Sequence, residues 1–308
     1  MRKPKGLPIN GWLILDKPQG LTSTDAVARI KRLYTAQKAG HAGTLDPLAT
    51  GLLPIALGEA TKTVPYVVDG EKSYRFAVTW GVETDTDDSE GKSVKTSEQR
   101  PAPADIDAIL GEFTGDIMQT PPQYSAIKVA GARAYDLARD GEVFELVARP
   151  VIVHELSIRY HDANAGVTIF DCDCGKGTYV RSLARDMGRR LGCLGHVTQL
   201  RRTNVGPFVE ADAILLDKLT EIGNSADGHG GHMTFLRPVE TALDYIPAIS
   251  VSPADAARLI RGQPILIRGA GAPILTGPAY ALSKGMLVAI GEIQQGELHP
   301  IRVFNLNG

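Results

Sequence analysis

From Tyr74 to Trp80 the chain alternates Tyr74, Phe76, Val78 and Trp80 with Arg75, Ala77 and Thr79. A period of two is the mark of a half-buried strand, because successive side chains leave opposite faces of the pleat. Residues 151–160 and 166–174 read as further strands, and Gly175-Lys176-Gly177 breaks the run. Directly afterwards Val180, Leu183, Ala184, Met187 and Leu191 recur at helical spacing, while Arg181, Arg185 and Arg189 line up four residues apart on another face. The fold must therefore pack helices against strands. A helix over Thr24–Leu33 is predicted from Ala26, Val27, Ile30 and Leu33, with Ser23 or Thr24 as its N-cap. GVETDTDDSEGK reads as a polar turn and 102–113 as a short helix. Pro121-Pro122 forces extended backbone before a helix at Ala134–Arg139.

With 308 residues, 43% hydrophobic and 22% charged, the chain can bury a sizeable core, which excludes wholesale disorder. No stretch approaches the roughly 18 apolar residues of a membrane span, and the N-terminal apolar run, Trp12 to Leu15, is too short for a signal-peptide core. A cytoplasmic protein without a membrane partner is expected. The three cysteines cannot build a disulfide framework; Cys172 and Cys174 share a strand face with Phe170 and read as small core side chains. His229 and His232 lie in a Gly-rich loop composition without a nearby cysteine. No metal and no cofactor is expected.

The formal charge is −2, but it is unevenly placed. Residues 1–75 carry eleven Lys and Arg against six acids, and 175–202 carry Lys176, Arg181, Arg185, Arg189, Arg190, Arg201 and Arg202 against Asp186 alone. Residues 209–246 reverse the balance, with seven acids against Lys218 and Arg237. One basic and one acidic face are expected, a pattern that permits nucleic-acid binding without requiring it.

Several familiar sites are missing from the sequence. Gly175-Lys176-Gly177-Thr178 lacks the upstream glycine of a phosphate-binding loop, and no dinucleotide fingerprint, nucleophile elbow or His-Glu-x-x-His pair occurs. There remains GHAGTLDPLATGLLP at 40–54, with a single carboxylate, Asp46. Pro47 biases Asp46 away from helical backbone and the flanking glycines permit a tight loop, which sets Asp46 on a turn before a helix beginning near Leu48. A carboxylate so placed can act as nucleophile or base, or it can simply cap the helix.

GHAGTLDPLATGLLPIALGEATK, with LDKPQGLTS before it and SYRFAVTWGVETDTDDSEG, PPQYSAIKVAGARAYDLAR, GKGTYVRSLARD and LRRTNVGPF after it, closely resembles the TruB family of bacterial tRNA pseudouridine-55 synthases. The resemblance covers most of residues 10–208, in order. It implies an α+β pseudouridine-synthase fold, a mixed and mainly antiparallel sheet with flanking helices. A catalytic domain over 1–246, with an RNA-clamping insertion at about 120–150, would precede a small C-terminal PUA-like β-barrel domain over 247–308. That last assignment rests mainly on position and size.

The implied reaction isomerises uridine-55 in the T-loop of tRNA: the glycosidic bond breaks, the uracil turns, and a bond forms between C5 and C1′. No redox change, metal or cofactor enters. The catalytic aspartate of the family falls on Asp46, its active-site arginine on Arg181, the tyrosine that stacks on the displaced base on Tyr74, and the histidine that helps the base out of the stack on His41. Lys17, Tyr179 and Leu200 match positions lining the site. RNA contacts are expected from Lys128, Arg133 and Arg139 on the insertion and from Lys176, Arg201 and Arg202, with hinges for closure near Gly131 and Gly141. The enzyme is expected to act alone, as a monomer, on the T stem-loop of tRNA. The rivals are a guide-RNA-dependent synthase of the dyskerin type, a non-catalytic module that binds or folds tRNA, and a purely structural protein. The first is disfavoured by the absence of a lysine-rich end: the chain closes on Asn305-Leu306-Asn307-Gly308.

Overall fold

The computed structural model describes residues 6–129, 131–224, 231–267 and 276–306. In chain order the elements begin with β1 (Gly11–Lys17), α1 (Ser23–Leu33), β2 (Ala39–His41), β3 (Thr50–Leu57), α2 (Val64–Asp69) and β4 (Lys72–Trp80). A hairpin, β5 (Val82–Thr84) and β6 (Ser93–Thr96), leads to α3 (Pro103–Leu110) and β7 (Gly115–Gln119). The insertion holds β8 (Lys128–Val129), β9 (Ala132–Arg133) and α4 (Ala134–Arg139). Then come β10 (Arg149–Asp162), β11 (Val167–Cys174), α5 (Val180–Arg190), β12 (Gly195–Val205), β13 (Phe208–Val209), β14 (Ile214–Leu215), α6 (Leu216–Asn224) and β15 (Leu236–Arg237). The C-terminal part has β16 (Ala248–Ser250), α7 (Pro253–Ile260), β17 (Ile265–Leu266), β18 (Gly277–Ser283), β19 (Met286–Gln294) and β20 (Glu297–Val303).

One large mixed sheet runs β14-β1-β3-β12-β4-β11-β10-β7, with β2, β13 and β15 joined at its sides. Most pairings are antiparallel, and β12 runs parallel to β3. The alternation read in the sequence gives β4 one core face, while Arg75 and Thr79 on its other face stay partly exposed. Phe76, Val78 and Trp80 pack with Phe170, Leu183 and Met187 in one cluster. Trp12, Ile14, Leu52, Val205 and Phe208 belong to a second. Cys172 and Cys174 are buried in the first cluster, as expected of small core side chains. His232 is buried beside Tyr34, whose hydroxyl donates to the His232 carbonyl; His229 lies outside the described residues.

Three expectations are corrected. Thr22, not Ser23 or Thr24, caps α1, its Oγ1 accepting from the Asp25 amide; Ser23 turns inward instead. No helix begins at Leu48. Residues Thr50–Leu57 form β3, because an almost wholly apolar run between β1 and β12 buries its side chains on both faces of a central strand. The basic stretch 175–202 is not a free cationic surface: each of its seven cations is engaged within the protein. Lys176 pairs with Asp69, Arg181 with Asp46 and Asp88, Arg185 with Asp87 and Asp186, Arg189 with Glu83, Arg190 with Glu112, and Arg201 with Asp16 and Glu210. Arg202 donates to backbone carbonyls.

The C-terminal strands form a separate five-stranded sheet, β16-β18-β19-β20-β17, with α7 against it. Its order leaves two edges among the described residues, so it is a curled, PUA-like sheet rather than a closed barrel. Leu287, Ile290 and Phe304 from this sheet and the segment after it join Trp12, Leu52 and Phe208 of the large sheet in one core cluster. The tail therefore packs on the large sheet through apolar contact.

Candidate active site

The turn carrying Asp46 is braced from several directions. Ser23, at the start of α1, donates from Oγ to the Leu45 carbonyl at 2.9 Å and accepts from the Leu45 amide at 2.8 Å. Lys17, fully buried at the end of β1, donates from Nζ to the carbonyls of Leu21 at 2.7 Å, Pro18 at 2.9 Å and Pro47 at 3.4 Å. Burial lowers the Lys17 ammonium to about 8, against the pull of Asp46 and Glu90. From below, Arg202 donates to the carbonyls of Leu52 at 2.9 Å, Gly43 at 3.0 Å and Thr44 at 3.4 Å. Gly43 has φ of +97°, a backbone that costs a residue with a side chain, and an added Cβ would lie 3.3 Å from the Arg202 guanidinium.

On this platform Asp46 keeps a third of its side chain exposed, while Arg181 is almost wholly buried, its Nε 2.9 Å from Asp46 Oδ2. The other nitrogens of Arg181 donate to the carbonyls of Thr86 and Tyr124, each at 2.9 Å, and Asp88 Oδ2 lies 3.6 Å away. A buried fork fixed at four points holds one carboxylate oxygen and leaves the other side of the group facing solvent. Burial raises the Asp88 carboxyl despite Thr86 and Arg181, and burial together with Asp88 and Asp46 raises Glu90.

Of the residues named from the sequence, Asp46, Arg181, Lys17 and Tyr179 meet here. Tyr179 precedes α5, its amide donating to Gln119 Oε1 and its carbonyl accepting from Gln119 Nε2. Burial raises its hydroxyl, which Arg181 and Asp46 also influence. Tyr74 is half-buried on β4, packed at the margin of the core, and its hydroxyl, raised by burial, feels Arg202. Leu200 is buried beside it on β12, in register with Phe76. His41 ends β2, paired with Ile55; burial first and Arg202 second lower its ring.

Arg202 is the clear correction among the expected RNA contacts: at 1% exposure it is a structural strut of the Asp46 loop. Arg201 is one-third exposed and bridges Asp16 and Glu210, which leaves its guanidinium engaged. Lys176 remains exposed in its pair with Asp69, a contact worth little in water. Lys128 and Arg133 face each other on the β8–β9 hairpin, both exposed, and Arg139 lies over the Tyr135 ring at 5.6 Å. Sequence reasoning missed Ser23, Thr86, Asp88, Gln119 and Tyr124. Thr86 and Tyr124 act through backbone carbonyls, Asp88 through a carboxylate in a segment read as a plain turn, and Ser23 and Gln119 through side chains bonded to distant backbone, partners that nothing in local spacing marks.

The chain as a whole has counterparts among known proteins. Residues 31–180 match the family described as TruB family pseudouridylate synthase (N terminal domain), and residues 181–244 match tRNA pseudouridylate synthase B C-terminal domain. These matches, over residues 31–244, define the chain as a pseudouridylate synthase. The chain is 60% identical over 301 residues to tRNA pseudouridine synthase B of Rhodopseudomonas palustris, covering 97% of this chain and 82% of that protein. It is 56% identical over 306 residues to tRNA pseudouridine synthase B of Agrobacterium fabrum, covering 98% and 97%. The crystal structure of a Cbf5-Nop10-Gar1 complex superposes with a TM-score of 0.73 at 27% identity, over 96% of this chain and 84% of that one. The chain belongs to the TruB family. No helix among the described residues is long and apolar enough to cross a membrane.

Proposed function

We propose that this enzyme converts uridine-55 in the T-loop of tRNA to pseudouridine, with Asp46 as its catalytic carboxylate. The observation that carries the reading is the 2.9 Å contact between Arg181 Nε and Asp46 Oδ2, made by a buried arginine to a carboxylate that still faces solvent. It accords with the name borne by the relatives at 60% and 56% identity.

The target uridine has to leave its stack to reach a carboxylate that is held on a braced turn with a third of its side chain exposed, which costs a few kcal/mol and is easiest in a loop. His41 helps displace the base, Tyr74 stacks on it, and Leu200 supplies an apolar wall beside the uracil. Asp46 then acts on the sugar or the uracil as a nucleophile, or on a ribose proton as a base. In each case Arg181 fixes the carboxylate's orientation before substrate arrives, which lowers the cost of organising the site during reaction. Lys128, Arg133, Arg139 and Lys176 present positive charge to the RNA backbone. Residues 247–308 form a PUA-like unit after a catalytic unit over 1–246. Acting alone on tRNA is favoured over guide-RNA dependence because the relatives named for tRNA are twice as similar as the Cbf5 chain.

The test is tritium release from a T-stem-loop transcript whose uridines carry tritium at C5. Wild-type protein is expected to release it and Asp46→Asn to release none while still binding the RNA. Undiminished release by Asp46→Asn would remove Asp46 from the chemistry, and no release by wild type from any tRNA would leave a binding module.

A further inference from the structure

α5 delivers Arg181 to Asp46, and its first turn has no cap of its own. Tyr179 occupies the N-cap position with extended backbone, at φ of −105° and ψ of 111°, and its side chain makes no capping bond. The residues favoured there, Ser, Thr, Asp and Asn, satisfy the free amides of a first turn locally. Here the satisfying group comes from a residue 60 positions away. Gln119, 2% exposed, meets both polar groups of the Tyr179 backbone: its Oε1 accepts from the Tyr179 amide at 2.8 Å and its Nε2 donates to the Tyr179 carbonyl at 3.1 Å. That carbonyl also accepts from the Leu183 amide at 3.2 Å, the bond that opens the helix. One side-chain amide therefore fixes the residue from which α5 starts, just ahead of Arg181.

Gln119 is itself held. It is the last residue of β7, in register with Arg149, the first of β10, at the neck where the insertion leaves the sheet. Next to it the Thr120 carbonyl accepts from Ser182 Oγ at 2.9 Å and from Arg185 at 2.7 Å. These bonds tie the first two turns of α5 to the chain leaving β7. Arg181, by contrast, meets Asp46 through Nε alone, at 2.9 Å, while its two other nitrogens donate to the carbonyls of Thr86 and Tyr124. A fork with all its nitrogens engaged cannot follow a displaced helix without giving up a bond, so the Arg181–Asp46 contact depends on where α5 begins.

We propose that Gln119 is a positioning residue for the reaction: through the Tyr179 backbone it sets the start of α5, and thereby the approach of Arg181 Nε to the Asp46 carboxylate. This rests on the reading of Asp46 as the catalytic carboxylate. The Gln119 side chain bonds to backbone and organises the catalytic pair before substrate arrives, so it acts on the rate of the bound complex rather than on capture of RNA.

The experiment measures the single-turnover rate at saturating T-stem-loop, the Kd for that RNA and the melting temperature in wild type, Gln119→Met, Gln119→Glu, Arg181→Lys, and each Gln119 change combined with Arg181→Lys, with rates taken well below each melt. Gln119→Met keeps the side-chain length and loses both bonds; it is expected to slow the rate about tenfold or more, with Kd within about twofold of wild type. Gln119→Glu keeps the bond from the Tyr179 amide and sets an oxygen against the Tyr179 carbonyl, and a slowing of about threefold or more is expected. Its shape matches glutamine, so its result stands even where methionine unfolds. The double variants are expected to be within about twofold of Arg181→Lys alone, because both changes act through one contact. A wild-type rate in either Gln119 variant, a lower melt included, or losses that multiply in the double variants would overturn the inference and leave the proposed function standing. Absence of wild-type turnover, or an undiminished rate in Asp46→Asn, would instead overturn the proposed function, and this inference with it.

Discussion

The Arg202 guanidinium donates to the Gly43 carbonyl at 3.0 Å, from a side chain that is 1% exposed. An arginine that looks from the sequence like part of an RNA-facing basic run is thus a strut beneath the loop that carries Asp46. Arg202→Met removes the donors to the carbonyls of Gly43, Thr44 and Leu52. A stability loss of about 3 kcal/mol is expected by chemical denaturation, since unpaired buried carbonyls keep their desolvation penalty. The salt slope of RNA binding by the folded fraction should be unchanged; a flatter slope would return Arg202 to the RNA interface.

Gly51 has φ of +94°, and a Cβ there would meet the Arg202 carbonyl oxygen within van der Waals exclusion. Gly40 has neither constraint, with no atom within 4 Å of an added Cβ. Gly51→Ala is expected to cost several kcal/mol or prevent folding, and Gly40→Ala to melt within about 2 °C of wild type. Equal melting of the two variants would contradict the close approach of β3 to β12.

Burial pushes the Asp87 carboxyl up to about 6, against the attraction of Arg185 and Arg181. Its folded value lies above the usual 3.8, so its contribution to stability is fully present below about pH 4 and is lost as pH rises through 6. Asparagine cannot ionise. Between pH 5 and pH 7.5 the stability of Asp87→Asn should therefore move in the variant's favour relative to wild type, by about 1 to 2 kcal/mol. A gap that stays constant, or moves the other way, would show that Asp87 is comfortably charged beside Arg185.

Lys128 and Arg133 lie exposed on the β8–β9 hairpin of the insertion. Replacing both by glutamine should reduce the slope of log K against log salt by about 1 to 2, as two lost phosphate contacts do, and slow turnover at low RNA. An unchanged slope would place the RNA on another surface.

Ending the chain after Ile246 would uncover Trp12, Leu52 and Phe208, which Leu287, Ile290 and Phe304 cover. The melting temperature is expected to fall by many degrees, with equal loss of turnover on full-length tRNA and on a minimal stem-loop. A truncated protein with an unchanged melt, and a raised KM only for full-length tRNA, would assign the tail to RNA contact instead.

Local periodicity is enough to specify the elements whose burial follows from it: β4 from the alternation through Trp80, the two strands around 151–174, and α5 from its apolar stripe. Asp46 and Arg181 come together in the sequence only through the family resemblance that GHAGTLDP and GKGTYVRSLARD carry, since local pattern alone offers a helix cap and an exposed basic face; the 2.9 Å contact between them belongs to the fold. Long-range contact controls the rest. Whether 48–57 is helix or strand depends on its place between β1 and β12, which overrides an ambiguous apolar run. Whether a cation faces RNA or a carboxylate depends on acids 9 to 185 residues away, as Arg201 shows with Glu210 and Asp16. Charge counted along the chain cannot see such neutralisation, because an ion pair is a property of distance in space, and only the fold sets that distance.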